Sequence, residues 1–326
     1  MYLLQRPLFF WVETPLHAGS GTDLGIVDLP IQREKHTDFP KIEASGVKGC
    51  LRDYIEQKLG KSNTHIEIAF GPGDGNDNHA ASSLGFSDAR LLLFPVKSVK
   101  DVFVWITCTQ VITRFSDELK LCGFSPNFTI PSANTVSNLQ SVCVKTSSDT
   151  EGTVVLEEYA FPVKETEPTK KFAEWLQINI AVNMETFWKN KIKTSLVVLS
   201  DEDFRDFATM STEVIARTKI DDLLGTVARG ALWYEEYLPT DSILYSLVFA
   251  GPVFRKTDAE KGDFQIKQGE NIQGRNAPEK EARKVLNFFR ENLDSIMQIG
   301  GNATVGKGLV RTVFLESEAK KEVAHA

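Results

Sequence analysis

Residues 13–53 read ETPLHAGSGTDLGIVDLPIQREKHTDFPKIEASGVKGCLRD: the exit of an apolar strand, a long polar loop, and the opening of a helix. The loop carries His17, Asp23, Asp28 and His36. Uninterrupted loops beyond about 12–15 residues inside a compact domain are normally functional or disordered, and the firm secondary-structure signals on both sides favour function. The helix is predicted over 45–59, where Val47, Leu51, Ile55 and Leu59 recur at helical spacing and Ser45 is a good N-cap. Lys48 and Arg52 share a neighbouring face close to a helix N-terminus, whose free N–H groups favour an anion. Ser45, Gly46, Lys48 and Arg52 are therefore candidate phosphate contacts. The competing reading, that both cations are simply solvated, is equally open from these residues.

With 326 residues the chain is long enough for one large or two ordinary domains, and 42% hydrophobic with 25% charged residues is the composition of a soluble globular protein. No apolar run reaches the roughly 20 residues that cross a bilayer, and the start MYLLQRPLFFWVE lacks the features of a signal peptide. A cytoplasmic location and no membrane partner are expected. Cys50, Cys108, Cys122 and Cys143 are widely spaced and show no C-x-x-C, so neither a zinc site nor a disulfide framework is indicated. The net charge of −7 opposes nucleic-acid binding unless the cations gather on one surface.

Working outward, strands are expected at 2–13, 84–95, 102–109, 154–163, 195–200 and 242–251, and at the final LVRTVFLE. Helices are expected at 110–123, 169–189, from 201, and at 278–298, the most regular apolar stripe in the chain. Strands and helices mix without strict βαβ alternation, which indicates an α+β fold. VIARTKI and TVARGALWYEEYL, joined by the turn-rich Asp221–Gly225, predict a hairpin over about 214–240. Its Arg217, Lys219, Arg229 and Trp233 are either ordinary strand residues or contacts and stacking platforms for nucleic acid.

GGNATVGKGLVR at 300–311 is one residue short of a P-loop, because Gly308 stands where Ser or Thr binds magnesium. A P-loop also joins a strand to a helix, whereas this segment is expected to follow a helix and precede a strand. What survives is a glycine-rich stretch with Gly300, Gly301 and Lys307 able to approach a phosphate chain. No H-E-x-x-H, G-x-S-x-G or strand-borne G-x-G-x-x-G is present.

Three segments together, GIVDLPIQRE with FPKIEASGVKGCLRD, ARTKIDDLLGTVARGALWYEEYLP and GGNATVGKGLVR, resemble the RAMP superfamily of CRISPR proteins, and within it the repeated backbone subunit of the type III-B (Cmr) RNA-targeting complex. The resemblance implies one domain over 1–326 with a ferredoxin-like (RRM-like) core, large insertions, a protruding hairpin thumb, and a mobile tail at about 317–326. It implies guide RNA, target RNA, other Cmr subunits and copies of itself as partners, along a helical filament. Asp28 matches the catalytic aspartate of the family; an ordinary carboxylate is a poor base at neutral pH, so holding a divalent ion (Mg or Mn) is its expected role. His17 and Glu236 complete the candidate catalytic set for endoribonuclease attack by the RNA's own 2′-hydroxyl. A structural backbone without nuclease activity and a stand-alone guide-processing ribonuclease are the alternatives.

Overall fold

The strand that leaves for the long loop, β1 (Leu4–Val12), is buried on both faces from Leu8 to Val12. Phe9 and Trp11 share one face and meet rings from the middle of the chain, Phe9 against Phe115 and Trp175, Trp11 against Trp105 at a centroid distance of 5.3 Å. A two-sided apolar strand is what the centre of a sandwiched sheet requires. The computed structural model describes residues 2–22, 25–73, 80–221 and 224–316, without the side chain of Arg229; Asp23, His79 and the expected tail 317–326 lie outside the described residues.

After β1 come β2 (Lys41–Ile42), α1 (Ala44–Leu59), α2 (Thr64–Phe70), β3 (Leu84–Phe86), β4 (Ala89–Ser98), β5 (Val102–Cys108) and α3 (Thr109–Leu121). The middle of the chain adds β6 (Thr135–Val136), α4 (Leu139–Val142), β7 (Cys143–Thr146), β8 (Glu151–Leu156), β9 (Tyr159–Glu165), α5 (Glu167–Asn179), α6 (Thr186–Thr194), β10 (Leu196–Leu199) and α7 (Asp201–Met210). The hairpin β11 (Glu213–Ile220) and β12 (Val227–Tyr237) follows, then β13 (Ile243–Ala250), α8 (Ala277–Asn292), β14 (Ile296–Gln298) and β15 (Leu309–Phe314).

Four strands in the order β15-β1-β13-β4, antiparallel at every junction, form the core sheet. With α1 between β1 and β4 and α8 between β13 and β15, this is the βαββαβ arrangement of a ferredoxin-like fold, and everything from β5 to β12 is inserted between its second and third strands. The long β4 belongs to two layers: Ala89–Leu93 stays with the core sheet, and Phe94–Ser98 pairs β5 to start the inserted sheet. That second sheet runs β5-β10-β6-β9-β8 and returns to β4 through Ser98 and Leu156.

Several expected elements are divided. The strand at 84–95 breaks at Ser87–Asp88, because Ser87 spends its hydroxyl on the Leu247 N–H and frees Asp88 to reach α1. The stretch 154–163 is a tight hairpin turning at Glu157, which has φ 51. The helix at 169–189 is two helices, α5 and α6, and the helix at 278–298 stops at Asn292. Ile296 and Met297 form instead the edge strand β14 beside β15, so the glycine-rich segment joins two strands. A P-loop remains excluded because no helix follows it.

Candidate active site and nucleic-acid interface

The long loop is not free. It runs along the outer edge of β12, where Leu29 N–H donates to Tyr234 O, Glu236 N–H to Leu29 O, and Leu16 and Leu238 exchange both main-chain bonds. Residues 234, 236 and 238 present their main-chain groups to the same edge. Asp28 Oδ2 accepts the Tyr234 N–H at 2.8 Å, and His17 Nδ1 lies 2.7 Å from Glu236 O. Asp28 and His17 therefore occupy neighbouring positions on one strand edge, about 7 Å apart along it. Since a carbonyl only accepts, Nδ1 is the donor, and the neutral ring keeps its lone pair on Nε2. A Cβ at Gly19 would stand 2.7 Å from that Nε2, so a side chain there would obstruct it.

Glu236, expected in the catalytic set, is committed elsewhere. Its carboxylate takes Arg33 at 2.5 Å, the Thr212 hydroxyl at 2.7 Å and the Ile31 N–H at 3.0 Å, and its side chain is 7% exposed. Arg33 continues to the carbonyls of Asp38 and Ala208. This is a structural clasp between the loop, α7 and the hairpin.

The carboxylate on the other face of the hairpin is Glu235, a residue that the sequence offers beside Glu236 as a second carboxylate. It accepts hydrogen bonds from the Tyr237 hydroxyl, Trp233 Nε1 at 2.8 Å, Arg217 Nε at 3.2 Å and Asn302 Nδ2 at 2.9 Å. Burial pushes its carboxyl up, but the bonds from Tyr237, Trp233 and Arg217 outweigh burial and hold it below the ordinary value, ionised. Asn302 also donates to Tyr237, and Lys307 Nζ lies 5.0 Å from the Tyr237 ring centre. The glycine-rich segment is thereby fastened to the hairpin base. Gly300, with φ 85, passes so close to His17 O that a Cβ would collide with it, and Gly301 N–H donates to the same oxygen at 2.9 Å.

His17, Arg217, Trp233, Gly300, Gly301 and Lys307 thus converge, with Asp28 on the adjoining edge. Trp233 is half-buried and its indole N–H is tied to Glu235, while Tyr237 is wholly buried. The exposed face of the hairpin is the opposite one, carrying Val214, Leu232 and Tyr234, with Ile220, Leu224 and Val227 towards the tip. Lys219 is exposed; the Arg229 side chain lies outside the described residues.

The group on α1 stands apart. Ser45 is not the N-cap: Glu43 holds that position, with its N–H given to Gln32, and Ala44 N–H donates to Asp88 Oδ1 at 2.9 Å. A carboxylate already occupies the anion-favouring end of the helix. Ser45 is exposed and Gly46 half-buried beside it. Lys48 is half-buried against Ser82, and burial, then Arg52, lowers its pKa. Arg52 is bound to Glu56 at 2.6 Å and to Pro72 O.

A profile of the RAMP superfamily matches residues 10–311. The chain belongs to the RAMP superfamily. It is 34% identical over 308 residues to the CRISPR system Cmr endoribonuclease Cmr4 of Pyrococcus furiosus, covering 93% of each chain. The CMR subunit Cmr4 of Saccharolobus solfataricus is 27% identical, over 76% of this chain and 85% of its own. The crystal structure of oligomeric Cmr4 from Pyrococcus furiosus superposes with a TM-score of 0.65 at 26% identity, covering 96% of this chain and 98% of that one. A RAMP chain thus places the ferredoxin-like core, the inserted sheet and the hairpin in one fold.

Among the described residues no three carboxylate, histidine or cysteine side chains come together as a metal cluster. Glu235 and Glu236 are saturated, and Asp28 is left as a single exposed carboxylate. A single carboxylate is enough to hold Mg or Mn when substrate phosphate oxygens and water supply the remaining ligands.

Proposed function

We propose that this chain is the repeated backbone subunit of a type III-B CRISPR complex, and that it binds guide RNA and cleaves the paired target RNA from the edge of β12. The observation that supports this reading is that Asp28 and His17 are both hydrogen-bonded to main-chain groups of β12 two residues apart, and that the His17 ring packs on Tyr237, which Arg217 and Lys307 also contact. The 34% identical relative is named an endoribonuclease of the Cmr system, and a relative of the same fold is oligomeric, which supports both halves of the proposal.

Attack by a ribose 2′-hydroxyl on the adjacent phosphate forms the P–O2′ bond and breaks the P–O5′ bond; it needs the 2′ proton removed, the nucleophile in line, the phosphorane charge stabilised, and a proton from water for the departing 5′-oxygen. The Nε2 lone pair of His17 is the group with the right chemistry to take the proton. Arg217 and Lys307 supply fixed positive charge beside Tyr237, while Glu235 holds that assembly in position. Asp28, its carboxylate anchored by one main-chain N–H, orients the ribose in this proposal. Among the described residues Asp28 is the carboxylate that would hold the expected divalent ion (Mg or Mn) together with RNA phosphate oxygens and water, and no step is assigned to that ion.

Sequence choice belongs to guide–target pairing, and the protein reads phosphate and sugar shape. No helix of the described residues is long and apolar enough to cross a membrane, and a cytoplasmic location is part of the proposal. The test uses the particle assembled on guide RNA with a target carrying one 2′-deoxyribose at a cut position. Loss of that cut alone, with 2′,3′-cyclic phosphate at the others, is expected; unaltered cutting there would refute attack by the 2′-hydroxyl.

A further inference from the structure

At the end of the core sheet remote from His17, three guanidinium groups surround one small cavity. Arg6 comes from β1, Arg283 and Arg290 from α8, and Leu286 and Phe314 form the apolar floor. The strands β1 and β15 both run between this cavity and the loop-bearing end. Six residues from Arg6 to Val12 correspond to about 20 Å, so the cavity is separate from the site on β12.

The charges there are not balanced. Arg6 spends its NH1 on the main-chain oxygens of Gln5 and Cys122, and Arg283 its Nε on Gln273 O. Neither has a carboxylate within salt-bridge distance among the described residues, whereas Arg290 is paired with Glu316, which also lines the cavity. Two guanidiniums that repel each other across a shared space are stabilised by an anion between them. Burial, then the charge of Arg283, lowers the pKa of Arg6, and Cys122 and the Glu316 carboxylate offset this only in part. The cavity measures about 40 Å³. That is room for about three waters, which suits a tetrahedral oxyanion and excludes a nucleobase. Guanidinium forks match phosphate oxygens in pairs.

We propose that Arg6, Arg283 and Arg290 form a phosphate-binding site. Its phosphate comes either from an RNA backbone or from a small free phosphate. The site does not depend on the nuclease reading.

Inorganic phosphate is titrated into the purified chain at constant ionic strength against chloride, followed by calorimetry. Saturable binding is expected, weakened tenfold or more by Arg283→Glu and by Arg290→Gln and unchanged by Lys145→Ala, an exposed lysine of β7, with melting in chloride showing that each variant is folded. The same variants are then titrated with a short single-stranded RNA at several salt concentrations. A salt slope reduced by about 0.7 for each lost contact identifies RNA as the source; an unchanged slope with phosphate binding lost identifies a small phosphate. Equal phosphate binding by wild type and Arg283→Glu would overturn the proposal. So would phosphate binding that appears only in a chain ending at Glu316, since the chain's own tail would then be the occupant.

Discussion

Glu235 and Glu236 are neighbours in β12 whose carboxylates serve opposite faces of the hairpin, Glu235 bonding Asn302 of the glycine-rich segment and Glu236 bonding Arg33 of the long loop. The alternation of a strand imposes this division. Each face thereby docks a different piece of the site onto the same strand.

Removing Glu236 strands a guanidinium against protein. Glu236→Ala is expected to lower stability by on the order of 3 kcal/mol, the cost of breaking a buried pair from one side. Glu236→Gln, which can still accept from Thr212 and Ile31 N–H, should lose less. Denaturant melts measure both, and an Ala variant of wild-type stability without cleavage would return Glu236 to the chemistry.

Acid should loosen the other face. The folded-state pKa of Glu235 lies below its unfolded value, so its stabilising contribution is fully present above the unfolded value and fades as pH falls through the folded one. Stability should therefore drop below about pH 4 more steeply in wild type than in Glu235→Gln. Identical acid limbs in the two proteins would contradict the role given to Glu235.

The cations divide by what already holds them. Lys307, which lies over the Tyr237 ring, should cost about 0.7 of salt slope in guide RNA binding when changed to Ala. Arg52→Ala should leave the slope unchanged, because Glu56 and Pro72 O already occupy that guanidinium. A lost slope in Arg52→Ala would restore α1 to the RNA surface.

On the hairpin, exposure separates contact from scaffold. Leu232→Ser with Tyr234→Ser should leave the melting temperature within a few degrees and disturb the regular spacing of cuts in the assembled particle, because both side chains face outward. Trp233→Ala should do the reverse, lowering stability through the lost Glu235 bond.

An α+β fold could be read from the chain because its strands carry long apolar runs and α1 and α8 have clean stripes, and the hairpin followed from its turn-rich joint; the ferredoxin-like arrangement and the thumb came from the resemblance. The divided elements could not be read. Ile296 and Met297 continue the helical spacing of α8 and look helical until β15 offers them a strand partner. The site was legible as a set of segments and not as a geometry. His17 and Asp28 are eleven residues apart in sequence, and only the bonds to Glu236 O and Tyr234 N–H bring them to one edge. Telling Glu235 from Glu236 depends on strand parity, and the pattern of Trp233, Glu235 and Tyr237 on alternate residues was the available signal. Asn302 gave none, since its role depends on a left-handed turn at φ 63.

The central claim is that the edge of β12 cuts RNA, and Asp28→Asn in the particle assembled on guide RNA tests it most directly. Guide and target binding should persist, because the Asn side-chain oxygen can still accept the Tyr234 N–H. Target cleavage should fall by roughly a thousandfold. Cleavage near the wild-type rate would remove Asp28 from the site and leave the chain a structural backbone for guide RNA.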